Sequence, residues 1–147
     1  ERIVVDIMEM MRIPQLKGRQ IDMLSEGERQ KVFIAQCIAQ GPKVLILDEP
    51  VSHLDIAHQM HTFEILENLN REGLTILMVL HDLNLASEFC SRVILLSKGK
   101  IIKDGDPHSV LTFQNIEAVY DSVVIVKNNP LSGKPYVIPV SKKYLKE

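Results

Sequence analysis

Two apolar runs in this chain stop abruptly on residues that can handle protons, metals and phosphates. In KVLILDEPVSHLD (residues 43–55) the run ends on Asp48-Glu49, and in TILMVLHDLN (75–84) it ends on His81-Asp82. Adjacent acids at a strand end suit a division of labour. A Mg²⁺ ion that also binds phosphates takes one or two protein carboxylates and keeps several waters. A second carboxylate can then orient or deprotonate an attacking water. The same residues also fit a plainer account, with the acids as a solvated strand end closed by Pro50 and His81 as a surface imidazole.

A third stretch, LSEGERQKV (24–32), has two compatible readings. Ser25 followed by Glu28 is the spacing of a capping box and predicts a helix start. Gly27 in that first turn costs roughly 1 kcal/mol against Ala, which suggests that something approaches the backbone closely there. A helix start with free N–H groups, a hydroxyl and a glycine also suits an anion such as phosphate. Asp55 fits the cap of the next helix. Gly133-Lys134 does not make a phosphate loop, because Asn128 stands where the first glycine is needed and Pro135 where Ser or Thr is needed. No GxxxxGK[ST] occurs anywhere in the chain.

The elements that must position these groups follow from periodicity. Apolar residues at 3, 4, 7, 10 and 11 predict a first helix stopped by Pro14, followed by a polar linker, QLKGRQID. A second helix is expected from Ser25 to about Gln40, ended by Gly41-Pro42. Val44–Leu47 reads as a strand buried on both faces. Asp55 caps a third helix with the stripe Ile56, Met60, Phe63, Leu66 and Leu69, closed by Gly73. Thr75–Leu80 reads as another apolar strand, and Asp82 caps a helix to about Cys90. Val93–Leu96 and Ile101–Lys103 suggest a hairpin. A helix near 114–120 and strands near 123–126 and 136–140 complete the chain, with Pro135 and Pro139 placing the last strand at an edge.

Strand and helix alternate and the strands are continuously apolar, which predicts an α/β fold with a parallel sheet covered by helices. Ligands of such sheets sit beyond the carboxyl ends of the strands, where the acids and His81 would face one edge. The chain has 147 residues, enough for one domain with a sizeable core. Its net charge of −2 gives no case for a broad nucleic-acid-binding surface. Cys37 and Cys90 lack metal-ligand spacing and suit a reducing compartment. No apolar run reaches the ~18 residues of a membrane span, so a membrane role is expected to be peripheral.

With those residues in view, the sequence resembles the ATP-binding subunit of an ABC transporter. LSEGERQKVFIAQCIAQGPKVLILDEP resembles the signature motif (commonly LSGGQ), its helix and the Walker B strand, SHLD the D-loop, and VLHDLN the switch-histidine loop. The later stretches LLSKGKIIKDGDPHSVLTFQNIEAVYD and NNPLSGKPYVIPV are similar to importers of iron-siderophore, haem and cobalamin type. Glu26 and Glu28 depart from the usual Gly and Gln, and Val51 from the usual Thr.

The resemblance implies the C-terminal part of an ABC-type P-loop NTPase domain, a mainly parallel sheet flanked by helices with part of the helical subdomain. Residues 1–42 would belong to that subdomain with the signature motif. Residues 43–106 would form the core from Walker B to the switch histidine, and 107–147 the C-terminal helix and edge strands. It implies ATP and Mg²⁺ as ligands, with Asp48 on the metal, Glu49 as general base and His81 on the γ-phosphate. Ser25 and Gly27 would touch ATP bound to a second copy of the subunit, and Asp55 would communicate across that interface. The expected partner is a membrane permease, at the cytoplasmic face of the membrane.

Nothing in the sequence resembles the Walker A loop, the adenine-stacking aromatic or the glutamine loop, so the isolated chain is expected not to turn over ATP. It is also expected to self-associate along Val44–Leu47 or Thr75–Leu80. The alternatives are a non-transport ABC ATPase, or a short chain that binds or regulates an ABC partner without hydrolysis.

Overall fold

A computed structural model describes residues 2–141 and 143. The chain divides into two units, residues 1–79 and 80–147.

The first unit begins with α1 (Arg2–Met10). Arg12 takes a left-handed conformation, φ 55°, and turns the chain before Pro14 opens a short 3₁₀ turn, Pro14–Leu16. The expected polar linker is therefore partly core, because its Leu16 is buried, as is Ile13 just before it. Helix α2 (Glu26–Ala39) starts at Ser25 and ends at Gln40, after which Gly41 adopts φ 61°. Strand β1 (Val44–Asp48), helix α3 (Ile56–Arg71) and strand β2 (Thr75–Val79) follow. β1 and β2 pair in parallel, Val44 opposite Thr75 and Asp48 opposite Val79, so both strands finish at the same edge.

The core of this unit joins Met11, Ile13, Leu16, Leu24, Ile34, Ala35, Leu45, Leu47, Ile65 and Leu66. Two expectations are corrected here. β1 is buried on one face only: Leu45 and Leu47 face the core, whereas Val44 and Ile46 are more than half exposed, as are Leu77 and Val79 on β2. Side chains alternate along a strand, and within this unit the core cluster holds only the Leu45–Leu47 set. The stripe expected on α3 is present except at its first residue, with Phe63 and Leu66 buried and Leu69 packed against the core. Ile56 is exposed, and the buried set is Thr62, Phe63, Ile65 and Leu66. Ile56 stands directly after the cap, where the helix has not yet reached the core.

The second unit contains α4 (Leu83–Phe89), the hairpin of β3 (Val93–Ser97) and β4 (Lys100–Gly105), α5 (Pro107–Val110), α6 (Phe113–Tyr120), and the hairpin of β5 (Val124–Asn128) and β6 (Pro135–Pro139). Lys98 and Gly99 both have positive φ, 48° and 73°, as a two-residue hairpin loop requires. Both hairpins are antiparallel. Parallel pairing among the described residues is thus confined to β1 and β2. The hairpin expected from Val93–Leu96 and Ile101–Lys103 is present as β3 and β4. Leu95, Val110, Leu111, Ile116, Val124 and Val137 form this unit's core.

Two side chains of α4 tie it to β6. Asn84 Nδ2 donates to Val137 O at 3.1 Å and its Oδ1 accepts from Val137 N–H at 2.7 Å. Ser87 Oγ donates to Pro135 O at 2.6 Å. A proline carbonyl lacks no acceptor capacity, so Pro135 costs the strand only its N–H.

Candidate functional site

Asp48 is the last residue of β1 and is exposed, and Glu49 follows it half-buried. Glu49 lies in the left-handed region, φ 46°, a conformation that costs a non-glycine residue roughly 1–2 kcal/mol. Three hydrogen bonds impose it. Glu49 N–H donates to Val79 O at 3.1 Å, continuing the β1–β2 ladder by one step, and Glu49 O accepts from Ser52 N–H at 3.3 Å. Ser52 Oγ donates to the same carbonyl at 3.1 Å. The left-handed residue breaks the strand's alternation, so the second acid need not point opposite to the first. Pro50 and Val51 behind it are buried.

The chain then forms the loop that ends at Asp55. Leu54 N–H donates to Val51 O at 3.2 Å, and Gln59 Nε2 of α3 donates to the same carbonyl at 3.1 Å. Asp55 Oδ1 accepts from His58 N–H at 2.9 Å and lies 2.8 Å from His58 Nδ1. The expected helix cap is therefore present. The i,i+3 spacing of Asp55 and His58 is the sequence signal for this second contact. The His58 backbone N–H and then its ring hold the Asp55 carboxyl below the ordinary carboxylate value.

At the start of α2 the expected capping box is complete. Glu28 N–H donates to Ser25 Oγ at 3.3 Å. Glu28 Oε2 accepts from Ser25 N–H at 2.9 Å and from Ser25 Oγ–H at 3.0 Å. The Ser25 hydroxyl proton is thus directed at Glu28, whose carboxyl is lowered by the Ser25 N–H and then the Ser25 hydroxyl. Gly27 packs against the loop before Asp55, and a Cβ there would lie 2.9 Å from His53 O. The close approach expected at this glycine is thus made, in this chain, by its own backbone. Across the same junction His53 Nε2 lies 4.0 Å from Glu26 Oε1, both exposed.

Ser25, Gly27, Asp48, Glu49 and Asp55 all belong to the first unit. His81 belongs to the second, exposed, directly before Asp82. Asp82 Oδ1 caps α4 by accepting from Asn84 N–H at 2.7 Å and Leu85 N–H at 3.0 Å.

No group of three His, Cys, Asp or Glu side chains converges as a metal cage among the described residues. The donor set suits a hard cation held by Asp48 together with waters and phosphate oxygens, as Mg²⁺ is in phosphoryl-transfer sites.

Because the Asp55 and Glu28 carboxyls sit lower folded than unfolded, the unfolded chain binds more protons in the acid range. Their stabilisation is complete above the unfolded values of about 4 and is lost as pH falls through the lowered folded values. Asp55→Asn keeps a capping acceptor but removes one titration. Its thermal midpoint is expected to fall less steeply than the parent's between about pH 5 and pH 3. An unchanged slope in circular-dichroism melts would remove Asp55 from this account.

The sequence model of the ABC transporter family matches residues 1–52. The ferric enterobactin transport ATP-binding protein FepC of Escherichia coli (strain K12) is 39% identical over 143 residues, covering 97% of this chain and 53% of that protein. The chain is homologous to the ATP-binding subunits of ABC transporters. Two further ABC relatives are the iron(3+)-hydroxamate import ATP-binding protein FhuC of Bacillus subtilis (strain 168), 41% identical over 91% of this chain and 50% of that one, and the hemin import ATP-binding protein HmuV of Rhodopseudomonas palustris, 40% identical over 86% and 50%. This chain spans about half the length of the curated relatives it matches.

A solved metal-chelate type ABC transporter in an inward-facing conformation superposes with a TM-score of 0.85 at 26% identity, covering 97% of this chain and 58% of that chain. An ATP-binding cassette solved as a dimer in a post-hydrolysis state, bound to ADP and Pi, superposes with a TM-score of 0.68 at 27% identity over 71% and 46%. The α/β architecture is that of part of an ABC ATPase cassette. Among the described residues no helix is long and apolar enough to cross a membrane.

Proposed function

We propose that this chain supplies the metal-binding and water-activating side of an ATP-hydrolysing cassette that energises import of an iron chelate, haem or a cobalamin-like compound. The observation that carries the reading is Glu49, directly after Asp48 at the strand end, held in a costly left-handed conformation by its neighbours' hydrogen bonds. Backbone strain of this kind concentrates where a side chain must be aimed. The relatives named for ferric enterobactin, hydroxamate and hemin import support the substrate class.

ATP and its Mg²⁺ supply the phosphoryl group and its charge neutralisation when bound. Asp48, exposed at the end of β1, would hold the metal through its water shell. Glu49 accepts the proton of the attacking water, and His81 hydrogen-bonds the γ-phosphate. Ser25 and Gly27, at the start of α2, contact nucleotide on a second copy of the subunit, for which the Ser25 hydroxyl turns its proton away from Glu28. Asp55 relays the state of that interface. The working assembly pairs two such subunits with a membrane permease at the cytoplasmic face, and the chain by itself does not turn over ATP. The dimeric form of the cassette solved with ADP and Pi supports the pairing.

Complementation tests this reading. A gene joining this chain to an amino-terminal part that carries a phosphate loop is expected to restore growth on a ferric siderophore, haem or cobalamin to a cell lacking the corresponding ATP-binding subunit. The same gene with Asp48→Asn is expected not to. Growth in none of the three cases, with the protein expressed and folded, would overturn the import reading.

A further inference from the structure

We infer that Gly27 is a positioning residue for Asp55: its missing side chain seats the loop 51–54 and thereby sets where the Asp55 carboxylate stands. The inference rests on the reading of Asp55 as a site residue, and adds to Gly27 a role that needs no nucleotide.

Helix propensity argues against a glycine at this position, since Ala would be favoured by roughly 1 kcal/mol in the first turns of α2. The tertiary structure supplies the reason for it. A Cβ on Gly27 would lie 2.9 Å from His53 O, 3.2 Å from Leu54 Cδ2 and 3.9 Å from His53 C. The tightest of these is a backbone atom, so no side-chain rotation relieves it.

The loop has little room to retreat. Leu54 is buried, its N–H is bound to Val51 O at 3.2 Å, and Val51 O is held again by Gln59 Nε2 of α3 at 3.1 Å. A displaced His53 carbonyl must therefore be absorbed at the next peptides, which lead into Asp55. Asp55 in turn is fixed on its far side by His58 N–H at 2.9 Å and His58 Nδ1 at 2.8 Å. The start of α2 and the start of α3 are thus joined through a contact that only glycine permits.

Side-chain carboxyl titration by NMR on the full chain reads this directly. In Gly27→Ala the Asp55 midpoint is expected to rise toward the ordinary carboxylate value as its bonds to His58 loosen. Asp106, held low chiefly by Ser109 at the cap of α5, is the internal reference and is expected to stay where it is. A change confined to helix propensity would leave the Asp55 midpoint unmoved, and that result would overturn the inference.

A second measurement keeps it falsifiable if the variant does not fold. In the unsubstituted chain a nuclear Overhauser effect is expected between the Gly27 Hα and a Leu54 methyl, and its absence would overturn the inference equally. Neither measurement contains nucleotide. A failed complementation would leave this inference standing, and a failed titration would leave the import reading standing.

Discussion

Glu49→Gln, in a cassette joining this chain to an amino-terminal part with a phosphate loop, is expected to lower Mg²⁺-dependent phosphate release by about 10²–10⁴-fold while ATP binding persists. The amide keeps the size and hydrogen bonding of the side chain but cannot take a proton from water. Glu49→Gly should be equally inactive, with one difference. The residue sits at φ 46°, where glycine carries no Cβ penalty, so relief of roughly 1–2 kcal/mol should offset part of the lost packing and leave the glycine variant at least as stable as Glu49→Ala. Phosphate release and urea denaturation measure the two effects separately. A normal hydrolysis rate in Glu49→Gln would refute the assignment of the base.

Leu66→Ala is expected to destabilise the first unit by about 2–5 kcal/mol, the usual cost of emptying a well-packed leucine site. Leu66 is 2% exposed and shares the core cluster with Leu45 and Leu47 of β1 and Ile34 of α2. The loss comes from transfer and from the cavity left behind, because neighbours on two helices and a strand cannot all close in on it. The same cluster supports the strand that presents Asp48 and Glu49, so the midpoint in urea should fall for that unit's transition. A loss below about 1 kcal/mol would mean that the site collapses freely, contrary to the close packing expected of protein interiors.

Much of the secondary structure was legible because its signals are local. Ser25 with Glu28, Asp55 and Asp82 are caps whose partners lie within three residues, and all three cap in the structure. Lys98-Gly99, between two apolar runs, forms the two-residue loop of the β3–β4 hairpin. The stripe of α3 was legible beyond its first residue: Phe63 and Leu66 are buried and Leu69 packs against the core, while Ile56 stays exposed. Periodicity reports that a helix has an apolar side, and packing decides how much of its length that side covers.

The order LSEGE, LDEP, SHLD and VLHD belongs to the sequence by itself, and so do the chemical types at 25, 48, 49 and 81 and the parallel pairing that two apolar runs with an intervening helix demand. These follow from residue identity, spacing and one-dimensional periodicity. The tertiary structure alone decided that one face of β1 stays exposed, that Glu49 is left-handed, and that Gly27 meets the carbonyl of His53. Each depends on a partner distant in sequence: a core cluster that takes up only alternate strand residues, a ladder bond from Val79, and a loop folded back on a helix start. Backbone conformation and close approach are set by such partners, and residue types in a linear pattern do not carry them.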